Sequence, residues 1–145
     1  MIVNPLNLRH NMKKKGKLLI IDDSDVIVEM LFQFLKNKNY ELASASNGLD
    51  GIKLFNSDPE GFDLVITDIV MPNISGVGVI SILKAKRPDL PIIAITGFGE
   101  HPESLAAEAR ADVVLEKPID LTTLDQHISD LVKKNPAYQP EDKQP

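Results

Sequence analysis

The chain has 145 residues, of which 43% are hydrophobic and 26% are charged, a composition typical of a single globular domain. It contains no cysteine, which excludes disulfides, thiol nucleophiles and thiolate metal sites, so a bound metal must use oxygen or imidazole ligands. The formal net charge of −5 argues against nucleic acid as the main partner. No apolar stretch is long enough to span a bilayer and the N-terminus lacks a signal-peptide core, so we expect a soluble cytoplasmic protein.

From Lys17 onward, short apolar runs alternate with longer segments that have helical spacing. The strands are predicted, in chain order, at residues 17–22, 40–45, 63–67, 91–96 and 112–115. The helices that follow them are predicted at residues 24–36, 47–55, 75–86, 103–109 and 121–132, and Ser24 is the expected N-cap of the first. Strands that alternate with helices form a parallel sheet with crossover helices, so the sequence predicts a five-stranded α/β domain.

The two ends of the chain have a different composition from its centre. We expect residues 1–15 to be a flexible extension, residues 16–134 the folded domain, and residues 135–145 a flexible tail. The tail holds three prolines among polar residues and cannot bury enough apolar surface to fold on its own. Four lysines at positions 13, 14, 15 and 17 form a basic run, which we interpret as a solvated arm with no binding role.

Polar residues stand at the ends of four predicted strands, where sites form in open α/β sheets. They are Asp22 and Asp23 at the first strand, Asp68 at the third, Thr96 and Gly97 at the fourth, and Lys117 at the fifth. The carboxyl ends of parallel strands share one edge of the sheet, so we expect these side chains to converge. Asp68 alone could simply cap a turn, because aspartate is a common turn residue. Its placement together with the others favours a functional site.

The carboxylates of this group predict a metal. Asp22, Asp23 and Asp68 would repel one another if they were crowded together, and a divalent cation relieves that repulsion. Their hard oxygen atoms suit Mg²⁺ with several retained waters. The sequence therefore predicts a magnesium site at this edge.

The remaining polar groups suit phosphoryl transfer. A metal at the carboxylates draws charge from a phosphoryl group, while the Thr96 hydroxyl and the Lys117 ammonium contact its other oxygens. An ionised Asp68 can then attack phosphorus in line. The backbone N–H groups of Val70 and Gly97 are further candidate donors, because oriented amides bind anions.

Four segments of the chain resemble the receiver domain of bacterial two-component response regulators. They are Ile20-Ile21-Asp22-Asp23-Ser24, Val65-Ile66-Thr67-Asp68-Ile69-Val70-Met71-Pro72, Ile95-Thr96-Gly97 and Leu115-Glu116-Lys117-Pro118. The intervals of 45, 28 and 21 residues that separate Asp23, Asp68, Thr96 and Lys117 also fit, as does the glycine at Gly76. The resemblance covers residues 17–133 and implies a flavodoxin-like, doubly wound sheet with strand order 2-1-3-4-5.

The same resemblance implies a role for each site residue. It implies that Asp68 accepts the phosphoryl group. It implies that Asp23, Asp68 and the Val70 carbonyl bind the Mg²⁺, and that Asp22 helps through water. Thr96 and Lys117 would recognise the phosphoryl group. The donor would be a histidine kinase or a histidine phosphotransfer protein, and a downstream protein would bind the phosphorylated surface. The chain would then be a signalling phosphoprotein and not a conventional enzyme.

The sequence departs from the family pattern at two positions. Val114 stands three residues before Lys117, where the family usually has a Tyr or Phe whose rotation reports phosphorylation. The switch candidates are therefore Thr96, Val114 and the nearby aromatic Phe98. The second departure is Arg110, where a glycine commonly precedes Ala-Asp, and the sequence suggests no function for it.

Two other functions fit parts of the sequence. Residues 21–26 also look like the Asp-x-Asp signature of haloacid-dehalogenase-type phosphohydrolases, in which Asp23 would be the nucleophile. Such enzymes need a further strand with acidic metal ligands after their lysine, and only Asp120 and a closing helix follow Lys117 here. The other alternative is a receiver-like adaptor that recognises its partner without phosphorylation.

Overall fold

The computed structural model describes residues 14–58, 61–97 and 110–134, which form one five-stranded parallel sheet with helices packed against it. The strands are β1 (Lys17–Ile21), β2 (Glu41–Ala45), β3 (Leu64–Asp68), β4 (Ile92–Thr96) and β5 (Val113–Glu116). The helices within the described residues are α1 (Asp25–Asn37), α2 (Gly48–Ser57), α3 (Gly76–Lys86) and α4 (Leu121–Lys134). The strand order is β2-β1-β3-β4-β5 and every neighbouring pair is parallel, so the predicted fold is confirmed.

The element boundaries differ from the predicted ones by one or two residues. β3 is shifted by one residue and ends on Asp68, whereas β1 stops at Ile21 and leaves Asp22 in the following turn. α4 extends through Lys134, two residues beyond its predicted end, because basic residues in a last turn interact favourably with the helix dipole. The helix predicted at residues 103–109 lies outside the described residues.

Three of the helices begin at side-chain caps. The side chains of Ser24, Asn47 and Ser75 accept hydrogen bonds from backbone amides in the first turns of α1, α2 and α3, which confirms the predicted Ser24 cap. Each capped helix is the next element after a strand in the chain, so its N-terminus lies towards the carboxyl edge of the sheet. In the part of the chain that the structure describes, no helix has both the length and the apolar character needed to cross a membrane.

The sheet is buried on both faces, which is why its central strands are almost wholly apolar. Every residue of β3 and β4 is buried, as predicted for the run at residues 64–66. On one face Leu19 and Val65 join the core beneath α2 and α3. On the other, Leu18 and Ile66 join the core beneath α1 and α4. Asp68 and Thr96 therefore stand at the ends of strands that are buried along their whole length.

An ion pair joins α3 to the amino ends of β4 and β5, opposite the site. The Lys84 side chain is only 6% exposed, and its ammonium lies 2.8 Å from a carboxylate oxygen of Asp112. The same oxygen accepts a hydrogen bond from the Ile92 amide at 2.8 Å. A buried ammonium is costly without such a partner, so Asp112 fixes both α3 and the start of β5.

The N-terminal basic run is partly built into the fold. The Lys17 ammonium forms an ion pair with Asp58 and lies 5.1 Å from the centroid of the Phe62 ring. Lys15 is exposed, yet its ammonium lies 5.9 Å from the Tyr40 ring centroid. The interpretation of the whole run as a solvated arm is therefore wrong for Lys17.

The backbone at Arg110 suits the glycine that the family resemblance implies at this position. Arg110 has a φ of 72°, in the left-handed region that costs a residue with a Cβ atom. Asn39 and Asn73 also have positive φ, but asparagine tolerates this conformation better. The side chain of Arg110 is exposed, so the strain is not offset by burial.

Replacing Arg110 by glycine should stabilise the domain. We expect Arg110→Gly to raise the free energy of unfolding in urea by about 1 kcal/mol, because glycine adopts a positive φ without strain. As a control, Lys53→Gly in the exposed interior of α2 should lower the same free energy by about 1 kcal/mol. A loss of stability in Arg110→Gly would contradict the account of this position.

Candidate functional site

The strand register brings the predicted polar residues to one edge of the sheet. Asp68 ends β3 and is paired with Ile95, which places it beside Thr96 at the end of β4. Thr96 is paired with Glu116, the residue before Lys117. Asp22 directly follows β1, the other neighbour of β3. The backbone therefore brings the predicted site residues together at this edge, as expected.

Three carboxylates form an acidic pocket there. Ligand oxygens of Asp22, Asp23 and Asp68 all lie within 4.8 Å of one another. Asp22 and Asp68 are 2% and 4% exposed, whereas Asp23 is exposed. The pocket thus has two buried carboxylates and one that faces solvent.

Asp22 has one satisfied and one unsatisfied oxygen. Its Oδ1 accepts a hydrogen bond from the Ser24 amide at 2.8 Å. Its buried Oδ2 has no hydrogen-bond partner among the residues that the structure describes, and the Lys117 Nζ lies 3.9 Å away. A buried charged oxygen without a hydrogen bond is costly, so this atom fits a site that a cation completes.

Burial and repulsion both disfavour the ionised forms of the inner carboxyls. Burial raises the pKa of Asp22 above the ordinary value for aspartate, and the neighbouring Asp23 raises it further, against the lowering effects of the Ser24 amide and Lys117. Burial also raises the pKa of Asp68, and repulsion by Asp22 adds to it, while Lys117 opposes the change. Additional positive charge in the pocket would favour ionisation of both groups.

Lys117 lies beside both buried carboxylates. Its Nζ is 3.5 Å from Oδ2 of Asp68 as well as 3.9 Å from Oδ2 of Asp22. Its amide donates to the Thr96 carbonyl at 2.8 Å, which extends the β4–β5 pairing to the site, and the following bond to Pro118 is cis. The Lys117 side chain is 27% exposed, so it can also reach a ligand that enters from solvent.

Thr96 is fully buried, and its hydroxyl contacts β5. The Oγ1 atom lies 3.5 Å from the Leu115 carbonyl oxygen, the length of a weak hydrogen bond. Gly97 follows it at the rim and is half-buried. A bond this weak can be exchanged for a stronger acceptor near Asp68.

The three remaining predicted residues differ in their surroundings. Val70 lies in the loop after β3 with 53% of its surface exposed. Val114 is half-buried in β5 and packs against the core beneath α2 and α3, without a ring that could turn. Phe98 lies outside the described residues.

The loop that carries Val70 returns closely to the end of β3. The Gly76 amide donates to the Ile69 carbonyl at 2.8 Å. A Cβ atom at Gly76 would stand only 2.1 Å from the Asp68 carbonyl oxygen, so a side chain cannot be accommodated without moving the backbone. The glycine noted in the sequence is therefore required by this close approach.

Sequence reasoning missed Thr67. Its side chain is fully buried, and its hydroxyl donates to the Asp68 carbonyl at 3.0 Å. The available signal was a hydroxyl in an otherwise apolar strand that is buried on both faces, where valine would pack equally well. The strand prediction by itself gives this residue no role.

Comparison with known proteins identifies the family. Residues 18–129 match the sequence model of the response regulator receiver domain, so the chain belongs to this family. It is 29% identical over 123 residues to the transcriptional regulatory protein GlrR of Escherichia coli and 28% identical over 122 residues to the response regulator SaeR of Staphylococcus aureus. These alignments cover 84% and 83% of this chain but 27% and 52% of the two relatives. The chain thus spans between about a quarter and a half of their length.

Solved structures show the same architecture. A response regulator receiver domain protein from Clostridium thermocellum is 29% identical, with a TM-score of 0.76, and the match covers 81% of this chain and 94% of that one. The response regulator TrrA from Thermotoga maritima is 34% identical, with a TM-score of 0.72 and coverage of 83% and 99%. The TrrA structure is a complex with Mg²⁺ and BeF.

The unsatisfied oxygen of Asp22 leads to a stability prediction for the metal-free protein. Because folding raises the pKa of Asp22, its charge destabilises the fold above that raised pKa, and stability is recovered as the pH falls through it. Asp22→Asn removes this buried charge and should therefore raise the free energy of unfolding in EDTA at neutral pH by about 1 to 3 kcal/mol. Denaturant titration measures it.

The gain of the variant should shrink as the pH is lowered, because protonation relieves the wild type in the same way. The exposed Asp89→Asn serves as the control and should leave stability in EDTA unchanged. If Asp22→Asn were less stable than the wild type in EDTA at neutral pH, the account of the acidic pocket would be wrong.

Proposed function

We propose that the chain is the phosphoacceptor module of a two-component system or phosphorelay. In this proposal Asp68 accepts a phosphoryl group from the histidine of a kinase or a phosphotransfer protein, in a reaction that requires Mg²⁺. The observation that supports it best is the buried Asp68 carboxylate, which lies within 4.8 Å of oxygens of Asp22 and Asp23 and 3.5 Å from the Lys117 ammonium, in a domain of the receiver family.

The carboxylates are suited to hold Mg²⁺. The donors are hard oxygens, and a buried oxygen of Asp22 lacks a hydrogen bond within the described residues. Asp23, Asp68 and the Val70 carbonyl would hold the ion, with Asp22 contributing through water. The similar TrrA protein forms a complex with Mg²⁺ and BeF, which supports Mg²⁺ as the ion. When bound, Mg²⁺ supplies positive charge that offsets the charge on phosphoryl oxygens.

The side chains around Asp68 then position the reaction. A carboxylate oxygen of Asp68 forms a bond to phosphorus while the P–N bond of the phosphohistidine breaks, and the electron pair of that bond returns to the imidazole nitrogen. Lys117, 3.5 Å from the carboxylate, orients it and can pass to a phosphoryl oxygen once the acyl phosphate forms. The N–H groups of Val70 and Gly97 and the Thr96 hydroxyl are the remaining donors.

The phosphoryl group would change the partner-binding surface through the end of β4. The acyl phosphate carries about −1.5 to −2 charges in place of the single charge of the carboxylate, beside a hydroxyl that is weakly bound to β5. Transfer of the Thr96 hydroxyl from the Leu115 carbonyl to the phosphoryl group would release that contact. Val114 has no aromatic ring that could rotate. β5 itself and Phe98 are therefore the candidates for transmitting the change from Thr96 to the partner-binding surface. A downstream protein that binds this altered surface makes the module a signalling phosphoprotein and not a conventional enzyme.

The geometry gives less support to the phosphohydrolase alternative. Asp23 is the exposed member of the acidic group, whereas the Lys117 ammonium lies next to Asp22 and Asp68. A receiver-like adaptor that works without phosphorylation would share the fold, and only a phosphorylation experiment separates the two.

Phosphotransfer from the histidine kinases of the source organism tests the proposal. Each labelled kinase is mixed with the wild type, Asp68→Asn, or Asp89→Asn, which changes an exposed carboxylate away from the site. We expect at least one kinase to label the wild type and Asp89→Asn in Mg²⁺, with labelling reduced to background in Asp68→Asn and in EDTA. Undiminished labelling of Asp68→Asn would refute Asp68 as the acceptor. Failure of every kinase to label the wild type would favour the adaptor.

A further inference from the structure

The buried hydroxyl of Thr67 lies next to the proposed phosphoacceptor, and packing does not require it. Thr67 is fully buried in β3, between aliphatic neighbours and Asp68. Valine has nearly the same shape and no polar atom, so it would fill the same space without the cost of burying a hydroxyl. The Thr67 hydroxyl donates a hydrogen bond to the Asp68 carbonyl oxygen, 3.0 Å away.

That bond is one of three that hold the backbone between Asp68 and Val70. The Thr67 hydroxyl donates to the Asp68 carbonyl, the Ile69 amide donates to the Ile95 carbonyl at 3.0 Å, and the Gly76 amide donates to the Ile69 carbonyl at 2.8 Å. The first two bonds hold the two ends of one peptide group, the one that joins Asp68 to Ile69. The third holds the next peptide group, which contains the Val70 amide. Hydrogen bonds to residues of β3, β4 and α3 thus hold two consecutive peptide planes.

The carbonyl that Thr67 holds has little room for a substitute donor. Gly76 approaches the same oxygen so closely that a Cβ atom would be 2.1 Å from it. Water therefore has poor access to the carbonyl from the α3 side. Loss of the hydroxyl would remove a hydrogen bond from a buried carbonyl and one restraint from this end of the peptide group.

We infer that Thr67 is a positioning residue for the phosphorylation of Asp68. Its hydroxyl sets the plane of the peptide group between Asp68 and Ile69, and through that plane the direction of the Asp68 side chain and the placement of the Val70 backbone. Small displacements of a nucleophile and its donors lower the rate even when the fold is intact. The inference depends on the proposed function of Asp68.

Thr67→Val removes the hydroxyl and preserves the shape. We expect it to lower the rate of phosphorylation by acetyl phosphate in saturating Mg²⁺ by about tenfold, and to weaken Mg²⁺ binding measured by calorimetry by about threefold. Thr67→Ser keeps the hydroxyl and should stay within about twofold of the wild type in both measurements. Ile66→Val is the matched control: it loses one carbon from the same strand, belongs to the core on the opposite face, and should change neither quantity.

The outcomes separate a positioning role from a structural one. If Thr67→Val matched the wild type in phosphorylation rate and Mg²⁺ affinity, and differed only in its melting temperature, the inference would be overturned. If Thr67→Val failed to fold, Thr67→Ser and Thr67→Ala would replace it, because these two differ by the hydroxyl alone; equal rates and affinities for them would also overturn the inference.

Failure of the proposed function can be distinguished from failure of the inference about Thr67. Absence of phosphate on the folded wild type would contradict the function of Asp68 itself. The Mg²⁺ affinities of the wild type, Thr67→Val and Thr67→Ser would then still show whether the hydroxyl positions the backbone of the acidic pocket.

Discussion

The burial of two carboxylates at the ends of adjacent strands is the constraint on which the site depends. β1 and β3 are neighbours inside a sheet that is covered on both faces, so Asp22 and Asp68 have little access to water. Together with Asp23 they carry three formal negative charges. The Lys117 ammonium neutralises one of these, which leaves two formal negative charges in the pocket. A divalent cation balances that remainder, which is the physical reason why this pocket suits Mg²⁺.

The same sheet holds the groups that the proposed phosphoryl transfer would use. Positioning and electrostatics supply most of the catalysis in phosphoryl transfer, so the proposed reaction would require the groups around Asp68 to be fixed before the donor arrives. Buried strands fix Asp68 and Thr96, the extension of the β4–β5 pairing fixes the Lys117 backbone, and Gly76 holds the loop that follows β3. The Thr96 hydroxyl is the loosely held member, with a 3.5 Å contact to β5. This contrast suits a site that must react without moving and then transmit a change.

Much of this arrangement could be predicted from the sequence. Apolar runs alternating with helical segments indicated five parallel strands, and the convergence of parallel strand ends indicated which polar residues meet. Which carboxylate is buried could not be predicted, because it depends on strand ends that differ from the predicted ones by a single residue at Asp22 and Asp68. The role of Thr67 depends on one rotamer and one carbonyl direction, and the φ of Arg110 on the local turn, neither of which has a periodic signal in the sequence.

The position of the phosphoryl group on the chain tests the central claim most directly. Wild-type protein is incubated with acetyl phosphate and Mg²⁺, the acyl phosphate is reduced with borohydride, and the modified peptide is identified by mass spectrometry. The account predicts a modification at Asp68, in the peptide that contains residues 64–72, that is absent when EDTA is added. Phosphate on Asp23 instead would contradict it, because the exposed carboxylate and not the buried one beside Lys117 would then be the nucleophile.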